Sequence, residues 1–455
     1  MPTNQILQGT SLNTNGLPKP LVNPKVVLSG TSGGKAVSFG LDDDILSKHT
    51  LFVGGTGCGK SNLFYHFVKQ LKAKMGSEDV MIIFDTKGDF YNKFRPTPRK
   101  DVVLGNSPKY RSHPERWNVF REVLADGWDD KDIVINTQEI CKAFFEERTE
   151  NNSNNPFFPN AARDVLAMLM IALVRSGDYA DSKDKNEYCS MFLNNEMLKA
   201  ILDEYTVSDI LEETHVKYSD MARITTYIGG KGSKQAEGVL AELYSVASDI
   251  LRGVFAEKGG FSMRKFIREK GGRTVYIEYD LSSGSVLAPI YTLLFDLALK
   301  EALGRTAGTN GNVYLIIDEL KLLPRLQHLD DGINFGRSFG VKIFAGLQSI
   351  EQLYADYKEA DAKNIIAGFS SIYAFRANDP RTREYVRDLF GENLTIERYL
   401  DTKEMLIDAA PRTGHTVEDW DLRRLRTGEA IVGLAGRSEE SPPEPFKIKF
   451  DIYRG

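Results

Sequence analysis

Short apolar runs and a segment of helical periodicity alternate near the start of the chain. Residues 50–53 and 80–84 are almost entirely apolar, which is typical of parallel strands buried on both faces. Between them, residues 61–74 place apolar side chains at the three- and four-residue spacing of one helix face. The order strand, helix, strand predicts a βαβ unit.

The same pattern returns only after a long interval. The stretch from Asp85 to Thr274 is far longer than one crossover helix needs, and its periodicity is helical, with helices predicted at 160–175 and around 239–250. Later apolar runs predict strands at 274–279, 313–317, 342–345, 371–375 and 429–434. We therefore predict an α/β fold with a mainly parallel sheet, interrupted by an inserted all-α domain.

The predicted domains follow from this division. Residues 1–25 are rich in Asn, Gly, Pro and Thr and show no periodicity, so we interpret them as a flexible N-terminal arm. Residues 26–108 and 269–455 are predicted to form one nucleotide-binding domain, and residues 109–268 the inserted all-α domain.

Composition excludes several classes of protein. The 455 residues are 42% hydrophobic with a formal charge of −5, which argues against a basic coat but not against a local basic channel. Cys58, Cys141 and Cys189 are too few and too scattered for a disulfide framework or a zinc site. The N-terminus has no secretory pattern, and the longest apolar run, 165–174, is shorter than the about 20 residues that cross a bilayer. We therefore expect a soluble, cytoplasmic protein.

The glycines after the first apolar run form a specific motif. Residues 54–61 read GGTGCGKS and match the phosphate-loop pattern G-x-x-x-x-G-K-[ST] between a predicted strand and a predicted helix. Such a loop points its N–H groups at phosphate oxygens, lets Lys60 reach the β- and γ-phosphates and lets the Ser61 hydroxyl bind Mg²⁺, so ATP and Mg²⁺ are the predicted ligands. The residues predicted to contact the nucleotide are Gly54, Gly55, Thr56, Gly57, Cys58, Gly59, Lys60, Ser61, Asn62 and Asp85.

Acidic residues end two of the predicted strands. Asp318 and Glu319 follow one of them, and beside a phosphate loop the first would hold Mg²⁺ through water while the second would act as the general base. Asp85 ends another strand, where the carboxyl ends of a doubly wound sheet gather, and this position favours a site role. Lys87 and Asp89 fit an ordinary turn equally well.

The order of the motifs resembles a known family. The segments GGTGCGKS, IIFDTKGDF, RWNVF, VYLIIDEL, GRSFGVKIFAGLQSIEQL and LRTGEAIV resemble, in this order, the conjugative coupling proteins of type IV secretion systems (the TraG/TraD class) in the FtsK–HerA group of DNA-pumping ATPases. The most specific part of the resemblance is 313–353. It implies a RecA-like P-loop NTPase core, ATP hydrolysis between the subunits of a ring of six, and DNA binding without sequence specificity.

The resemblance also implies roles for two further residues. Arg337 matches an arginine finger offered to the nucleotide of a neighbouring subunit, and Gln348 matches a glutamine that senses the γ-phosphate. The alternatives are a surface helix residue for Arg337 and a strand cap for Gln348, while Arg376 is a weaker candidate that equally fits a turn pairing with Asp379. The predicted catalytic residues are thus Lys60, Asp318, Glu319, Arg337 and Gln348, and the predicted metal-binding residues are Ser61 and Asp318.

DNA binding and membrane attachment leave more alternatives open. The candidates for pore-lining cations are Lys231, Lys234, Lys321 and Arg325, although a glycine-lysine loop such as that around Lys231 is more typical of a solvated turn. Typical family members begin with transmembrane helices, whereas the family-like pattern here begins behind about 25 polar residues. The expectation is a soluble member, a member held at the inner face of the membrane by a partner, a chain lacking its anchor, or a relative working outside conjugation.

Three functions follow from these interpretations. The leading one is an ATP-driven translocase that moves DNA or a relaxase–DNA substrate in conjugative transfer or a related mobile-element process, with a relaxase or secretion-channel partner. The second is a motor of the same group that recruits protein substrates or acts in DNA processing or defence. The third is a nucleotide-dependent switch or scaffold with little turnover, against which Glu319 and Arg337 argue.

Overall fold

The computed structural model describes residues 5–18, 21, 23–152, 154–178, 182–204, 233–282, 284–308, 311–400, 406–437 and 441–455. Its strands are β1 (Gln5–Gln8), β2 (Val26–Ser32), β3 (Lys35–Leu41), β4 (Thr50–Val53), β5 (Val80–Asp85), β6 (Val102–Leu104), β7 (Arg273–Glu278), β8 (Val313–Ile317), β9 (Val341–Leu347), β10 (Ser371–Phe375), β11 (Glu392–Leu400), β12 (Leu406–His415), β13 (Glu429–Gly433) and β14 (Phe446–Phe450). The α-helices span Asp43–Leu46, Lys60–Lys74, Asp89–Phe94, Pro108–Arg111, Val119–Val123, Asp130–Asn151, Phe157–Asp178, Ser182–Phe192, Asn195–Glu204, Lys234–Ile250, Met263–Glu269, Ala288–Leu303, Leu329–Phe335, Glu351–Asp356, Glu359–Ala367, Pro380–Phe390 and Asp419–Arg423.

The chain divides into two compact units. The first comprises Met1–Arg95, Gly271–Thr274 and Ala302–Gly455, and the second comprises Pro96–Lys270 and Val275–Glu301. Each unit is therefore built from separated stretches of the chain. The domain limits at residues 25, 108 and 268 stay a prediction.

The first unit contains a mixed sheet whose parallel part includes the strand before the glycine motif. The strand order is β3-β2-β14-β13-β10-β4-β9-β8-β5. β10, β4, β9, β8 and β5 are mutually parallel neighbours, whereas the pairs from β10 to β13 and onward to β3 are antiparallel. The α/β class is confirmed, and the carboxyl ends of the five parallel strands meet at one edge.

Burial explains why the parallel strands read as continuous apolar runs. Every residue of β4, β8 and β9 is buried, because helices cover the sheet on both sides. From helix Lys60–Lys74, Phe64 packs on Phe52 of β4 with ring centroids 4.3 Å apart. Full burial of such a side chain contributes about 1.5–3 kcal/mol, so this contact fixes the start of the helix on the sheet.

The second unit is largely helical, as the sequence predicts. Helix Phe157–Asp178 packs against Asp130–Asn151 and Lys234–Ile250, and β6 pairs in parallel with the later part of β7. The helix predicted at 160–175 begins earlier, at Phe157, and ends at Asp178. Among the described residues, one helix, Phe157–Gly177, is long and apolar enough to cross a membrane, and 67% of its apolar window is buried inside the protein.

The N-terminal segment differs in part from the expected flexible arm. Gln5–Gln8 forms β1, which pairs antiparallel with β11 in a three-stranded sheet with β12. The Asn13 main chain also exchanges hydrogen bonds of 2.8 Å with the main chain around Phe446. β1 has only four residues with its two apolar ones adjacent, and the Asn13 contacts join backbone groups, so neither feature gives a periodic signal in the sequence.

Candidate functional site

The phosphate loop connects β4 to helix Lys60–Lys74 through a turn that requires glycine. Gly59, directly before the helix, has a φ of 115°, in the region that L side chains rarely adopt. Gly54 has a φ of 149°, and a Cβ there would lie 2.7 Å from Cβ of Phe375. The backbone conformation and the close packing together explain glycine at both positions.

Lys60 is a buried cation inside this loop. Its side chain donates hydrogen bonds to the carbonyl oxygens of Gly54 and, at 3.3 Å, Gly55. The residue is only 8% exposed, and no described carboxylate lies within ion-pair distance of it. A buried ammonium that only carbonyl dipoles compensate is well suited to an anionic ligand such as a phosphate.

Ser61 and Asp318 meet across the edge of the parallel sheet. The Ser61 hydroxyl donates to Oδ2 of Asp318 at 2.8 Å. Burial raises the pKa of Asp318, while the Ser61 hydrogen bond and the charges of Lys87 and Lys60 oppose that shift. A hydroxyl and a carboxylate at this separation are hard oxygen ligands, so the pair fits the Mg²⁺ that accompanies a nucleotide.

Glu319 and Gln348 form a second polar contact beside this pair. Gln348 donates from Nε2 to Oε2 of Glu319 at 2.7 Å and accepts at Oε1 from the Thr56 hydroxyl at 3.1 Å. Oε1 of Glu319 is buried and has no hydrogen-bond partner among the described residues. A buried carboxylate oxygen without a donor costs free energy in the isolated chain, and a bound water would supply the donor.

These groups line one pocket of about 220 Å³. Its lining is Gly55, Thr56, Gly57, Cys58, Gly59, Lys60, Ser61, Asn62, Thr86, Lys87, Asp318, Glu319 and Gln348. Most of the predicted site residues are therefore brought together. Gly54 lies behind the loop, where its N–H donates to the Leu347 carbonyl at 3.1 Å.

Lys87 lines the pocket, whereas Asp85, which the sequence predicts to contact the nucleotide, does not. Asp85 is fully buried, does not line the pocket, and accepts at Oδ2 from the N–H of Tyr91 at 2.8 Å. Lys87 is exposed in the pocket wall, and its charge acts on Asp318. The position of Lys87 just past a strand that neighbours β8 could have identified it, since such strand ends converge.

Cys58 and Arg376 contribute to the loop mainly through the backbone. The Cys58 carbonyl accepts from the N–H of Gly428 at 2.8 Å, and burial raises the pKa of its thiol. The Arg376 carbonyl accepts from the N–H of Gly55 at 2.8 Å. The sequence offers Asp379 as a turn partner of Arg376. In the structure Asp379 instead caps helix Pro380–Phe390, where it accepts from the N–H of Thr382 at 2.8 Å.

Arg337 does not lie at this pocket. It belongs to a short 3-10 turn, Gly336–Phe339, that precedes β9, whereas the pocket lies at the opposite end of that strand. Its Nη2 contacts Oδ1 of Asp44 at 2.7 Å, and its side chain is 49% exposed. Arg337 is thus separated from the phosphate loop of its own chain by about 20 Å, the length of a seven-residue strand.

The expected DNA-binding cations that the structure describes belong to both units. Lys231 lies outside the described residues, and Lys234 is exposed at the start of helix Lys234–Ile250. Lys321 is exposed after β8, and Arg325 donates from Nε to the Asp356 carbonyl at 3.0 Å. Lys234 belongs to the second unit, whereas Lys321 and Arg325 belong to the first.

Comparison with known proteins gives consistent matches. The family described as the type IV secretion-system coupling protein DNA-binding domain matches residues 39–403. The coupling protein TraD of Escherichia coli is 22% identical over 343 residues, which cover 74% of this chain and 43% of TraD. The chain thus matches less than half the length of this relative.

Solved structures share the fold over the whole chain. TrwBdeltaN70, a bacterial conjugative coupling protein in an unbound form, has a TM-score of 0.72 and 22% identity, with 100% of this chain and 96% of that chain covered. The plasmid coupling protein TrwB in complex with ADP and Mg²⁺ has a TM-score of 0.70 and 21% identity, with 100% and 95% covered.

Proposed function

Because the chain belongs to the family of the type IV secretion-system coupling protein DNA-binding domain, we propose that it is an ATP-driven motor that moves DNA in conjugative transfer. The observation that carries this proposal is the contact of 2.8 Å between Ser61 and Asp318, because it joins the phosphate loop to the acidic end of β8 as nucleotide hydrolysis requires. TrwB, which shares the fold, has been crystallised with ADP and Mg²⁺, and this supports the same ligands here.

The chemistry is assigned to residues of the pocket. The loop N–H groups and Lys60 hold the phosphates, and Ser61 binds Mg²⁺ directly while Asp318 holds it through water. Mg²⁺ neutralises the charge that develops on the transferring phosphoryl group. Glu319 orients the attacking water and accepts its proton, and Gln348 senses the γ-phosphate through its contacts with Glu319 and Thr56.

Arg337 serves the nucleotide of a neighbouring subunit in a ring, which we propose has six members. Its position one strand length from its own phosphate loop supports this role, since an arginine side chain is far shorter than a strand of seven residues. A second copy of the chain would bring the guanidinium to the γ-phosphate and complete the site.

The DNA contact is confined to a part of the surface. The formal charge of −5 leaves no generally basic exterior, so backbone phosphates would be gripped in a pore by residues such as Lys234, Lys321 and Arg325. We place the protein in the cytoplasm at the inner face of the membrane, with a relaxase and a secretion channel as partners. The matched DNA-binding domain family supports the DNA part of this proposal.

One assay tests the function. The rate of ATP hydrolysis is measured with no DNA, with single-stranded DNA and with double-stranded DNA, and the assembly state is recorded in each sample. We expect DNA to stimulate hydrolysis by an assembled form and Lys60→Ala to abolish it, because the phosphates lose their main side-chain charge. Turnover in Lys60→Ala equal to that of the unchanged chain would contradict the site, and stimulation by a protein partner but not by DNA would contradict the DNA motor.

A further inference from the structure

Arg337 is bound by an aspartate from a distant part of the sequence. Oδ1 of Asp44 contacts Nη2 of Arg337 at 2.7 Å, and Oδ2 of Asp44 contacts Nζ of Lys48 at 3.0 Å. Asp44 lies in helix Asp43–Leu46, which precedes β4, so the pair lies at the amino ends of the parallel strands, opposite the pocket. Each carboxylate oxygen of Asp44 thus contacts a different cation.

The helix that carries Asp44 is firmly fixed. Asp42 caps its start by accepting from the N–H of Ile45 at 2.9 Å, and the Ser47 hydroxyl donates to the Asp44 carbonyl at 2.7 Å. Asp43 binds the ammonium of Lys342, a residue of β9 that is 1% exposed. The Asp44 carboxylate is therefore presented from a rigid support rather than from a mobile loop.

The backbone of Arg337 is held equally well. The Arg337 carbonyl accepts from the N–H of Gly340 at 3.2 Å, and the Gly340 carbonyl accepts from the N–H of Val313 at 2.9 Å. Gly336 packs against β9, where a Cβ would lie 2.9 Å from Cβ of Val341. With both backbones fixed, the contact with Asp44 bears directly on the direction of the exposed guanidinium.

We propose that Asp44 is a positioning residue that orients Arg337 toward the nucleotide of the neighbouring subunit. This inference rests on the proposed function, in which Arg337 acts between subunits. A carboxylate that engages one Nη group selects among the many rotamers of a half-exposed arginine and so limits the directions in which the guanidinium can point. An exposed ion pair contributes only about 0–1 kcal/mol to stability, so its loss leaves the fold intact.

The test mixes two inactive variants. Lys60→Ala has no working site but retains Arg337, and Arg337→Ala retains the site but has no finger. We expect the mixture to recover DNA-stimulated turnover, because a Lys60→Ala subunit supplies Arg337 to its neighbour. Asp44→Asn is then added to one partner at a time.

The two placements of Asp44→Asn give opposite expectations. Added to the Lys60→Ala chain, which donates the finger, it should lower the recovered kcat about tenfold to a hundredfold, with little change in KM, because a small misplacement of a catalytic group costs that much. Added to the Arg337→Ala chain, it should change nothing. Asp44→Glu on the donor should restore most of the rate, since it keeps the carboxylate.

A matched control separates this effect from a general loss of charge pairs. Asp388→Asn breaks another partly exposed contact, 2.8 Å from Arg387, and should leave the mixture unaffected. Equal losses from both placements of Asp44→Asn, no loss, or a gain would overturn the positioning role. A mixture that recovers no turnover at all would instead overturn the action of Arg337 between subunits, and the role of Asp44 with it.

Discussion

Gln348 donates a hydrogen bond from Nε2 to Oε2 of Glu319 at 2.7 Å, and the Thr56 hydroxyl donates to its Oε1 at 3.1 Å. One amide therefore joins the carboxylate after β8 to the phosphate loop after β4. Because β9 lies between these two strands, the residue directly after it is in position to contact both. A change in the loop on phosphate binding would reach Glu319 through this amide.

Gln348→Glu is expected to slow hydrolysis while nucleotide binding is retained. The new carboxylate cannot donate to Glu319 and would repel it, so Glu319 would lose the orientation that a general base needs. We expect kcat to fall about a hundredfold, with a dissociation constant for nucleotide within about threefold of the unchanged chain. Steady-state kinetics and equilibrium nucleotide binding measure the two effects.

A control glutamine tests the specificity of that change. Gln70 lies on the same helix as the phosphate-loop lysine but hydrogen-bonds to the main chain of Val27, away from the pocket. Gln70→Glu should leave kcat unchanged. A normal kcat in Gln348→Glu would show that the amide does not orient Glu319.

Glu319→Gln is expected to bind ATP and to hydrolyse it very slowly. The amide keeps the size of the side chain and its contact with Gln348 but cannot accept a proton from water. An assembly loaded with intact ATP should therefore accumulate, which quantification of the bound nucleotide after gel filtration would show. Bound ADP at the level of the unchanged chain would contradict the general-base role.

The sequence predicts a polar contact of the site only where both residues directly follow parallel strands of the sheet. Asp318 and the phosphate loop follow parallel strands, whose carboxyl ends share one edge, so the sequence pattern predicts their convergence. The contact between Arg337 and Asp44 joins residues 293 positions apart, and no local periodicity encodes it. Each carboxylate of the acidic run Asp42–Asp44 likewise contacts a cation that is distant in sequence.

The strand β1 and the positions of Asp85 and Lys87 were not predicted from the sequence. β1 has four residues, with Ile6 and Leu7 adjacent at its centre, so it lacks the alternation of apolar and polar side chains that predicts a strand. Asp85 ends a buried strand like Asp318 but turns its Oδ2 to the N–H of Tyr91, and only side-chain direction distinguishes the two aspartates. Lys87 is a residue that fits an ordinary turn in the sequence, and it nevertheless lines the pocket.

Gly59→Ala is expected to impair nucleotide binding more than stability. The φ of 115° at this position strains any L side chain, and a Cβ would also lie 3.2 Å from Cα of Gly428. The loop would relax by turning its N–H groups away from the phosphates, so we expect at least a tenfold loss of nucleotide affinity by calorimetry. Gly34→Ala also changes a glycine with positive φ, but in a turn with open space, and should leave affinity unchanged.

His49 is expected to make stability depend on pH below neutrality. Its ring is 1% exposed, Nδ1 accepts from the N–H of Ile343 at 3.1 Å, and burial lowers its pKa to about 4 from 6.5. The unfolded chain therefore binds a proton that the folded chain resists, so the contribution is complete above pH 6.5 and is lost as the pH falls through 4. Each unit of such a shift corresponds to about 1.4 kcal/mol, which predicts a loss of about 3 kcal/mol.

Comparison with His49→Gln isolates that contribution from other titrating groups. Chemical unfolding at a series of pH values gives the free energy of unfolding of both chains. Their difference should shrink as the pH is lowered, because only the unchanged chain has to leave a histidine unprotonated. A difference that is constant between pH 7 and pH 4 would rule out the shifted pKa.

Glu122 is the centre of a buried hydrogen-bond network in the second unit. Its Oε1 accepts from Nε1 of Trp117 at 2.9 Å and from the N–H of Met263 at 2.6 Å. Its Oε2 accepts from the Ser262 hydroxyl at 2.7 Å and from the N–H of Arg264 at 3.2 Å. Burial raises the pKa of Glu122, and these four donors oppose that shift because they favour the carboxylate.

Glu122→Gln should therefore destabilise the protein although it keeps the size of the side chain. The amide nitrogen would face two of the four donors, and buried donors left unsatisfied cost about 1–3 kcal/mol each. We expect a lower Tm by calorimetry, while Glu187→Gln, which changes an exposed acid on helix Ser182–Phe192, should leave Tm unchanged. Nucleotide affinity at low temperature should stay normal in both variants, since neither residue lines the pocket. An unchanged Tm in Glu122→Gln would mean that the network accepts a neutral side chain, as it would if Glu122 were protonated in the folded chain.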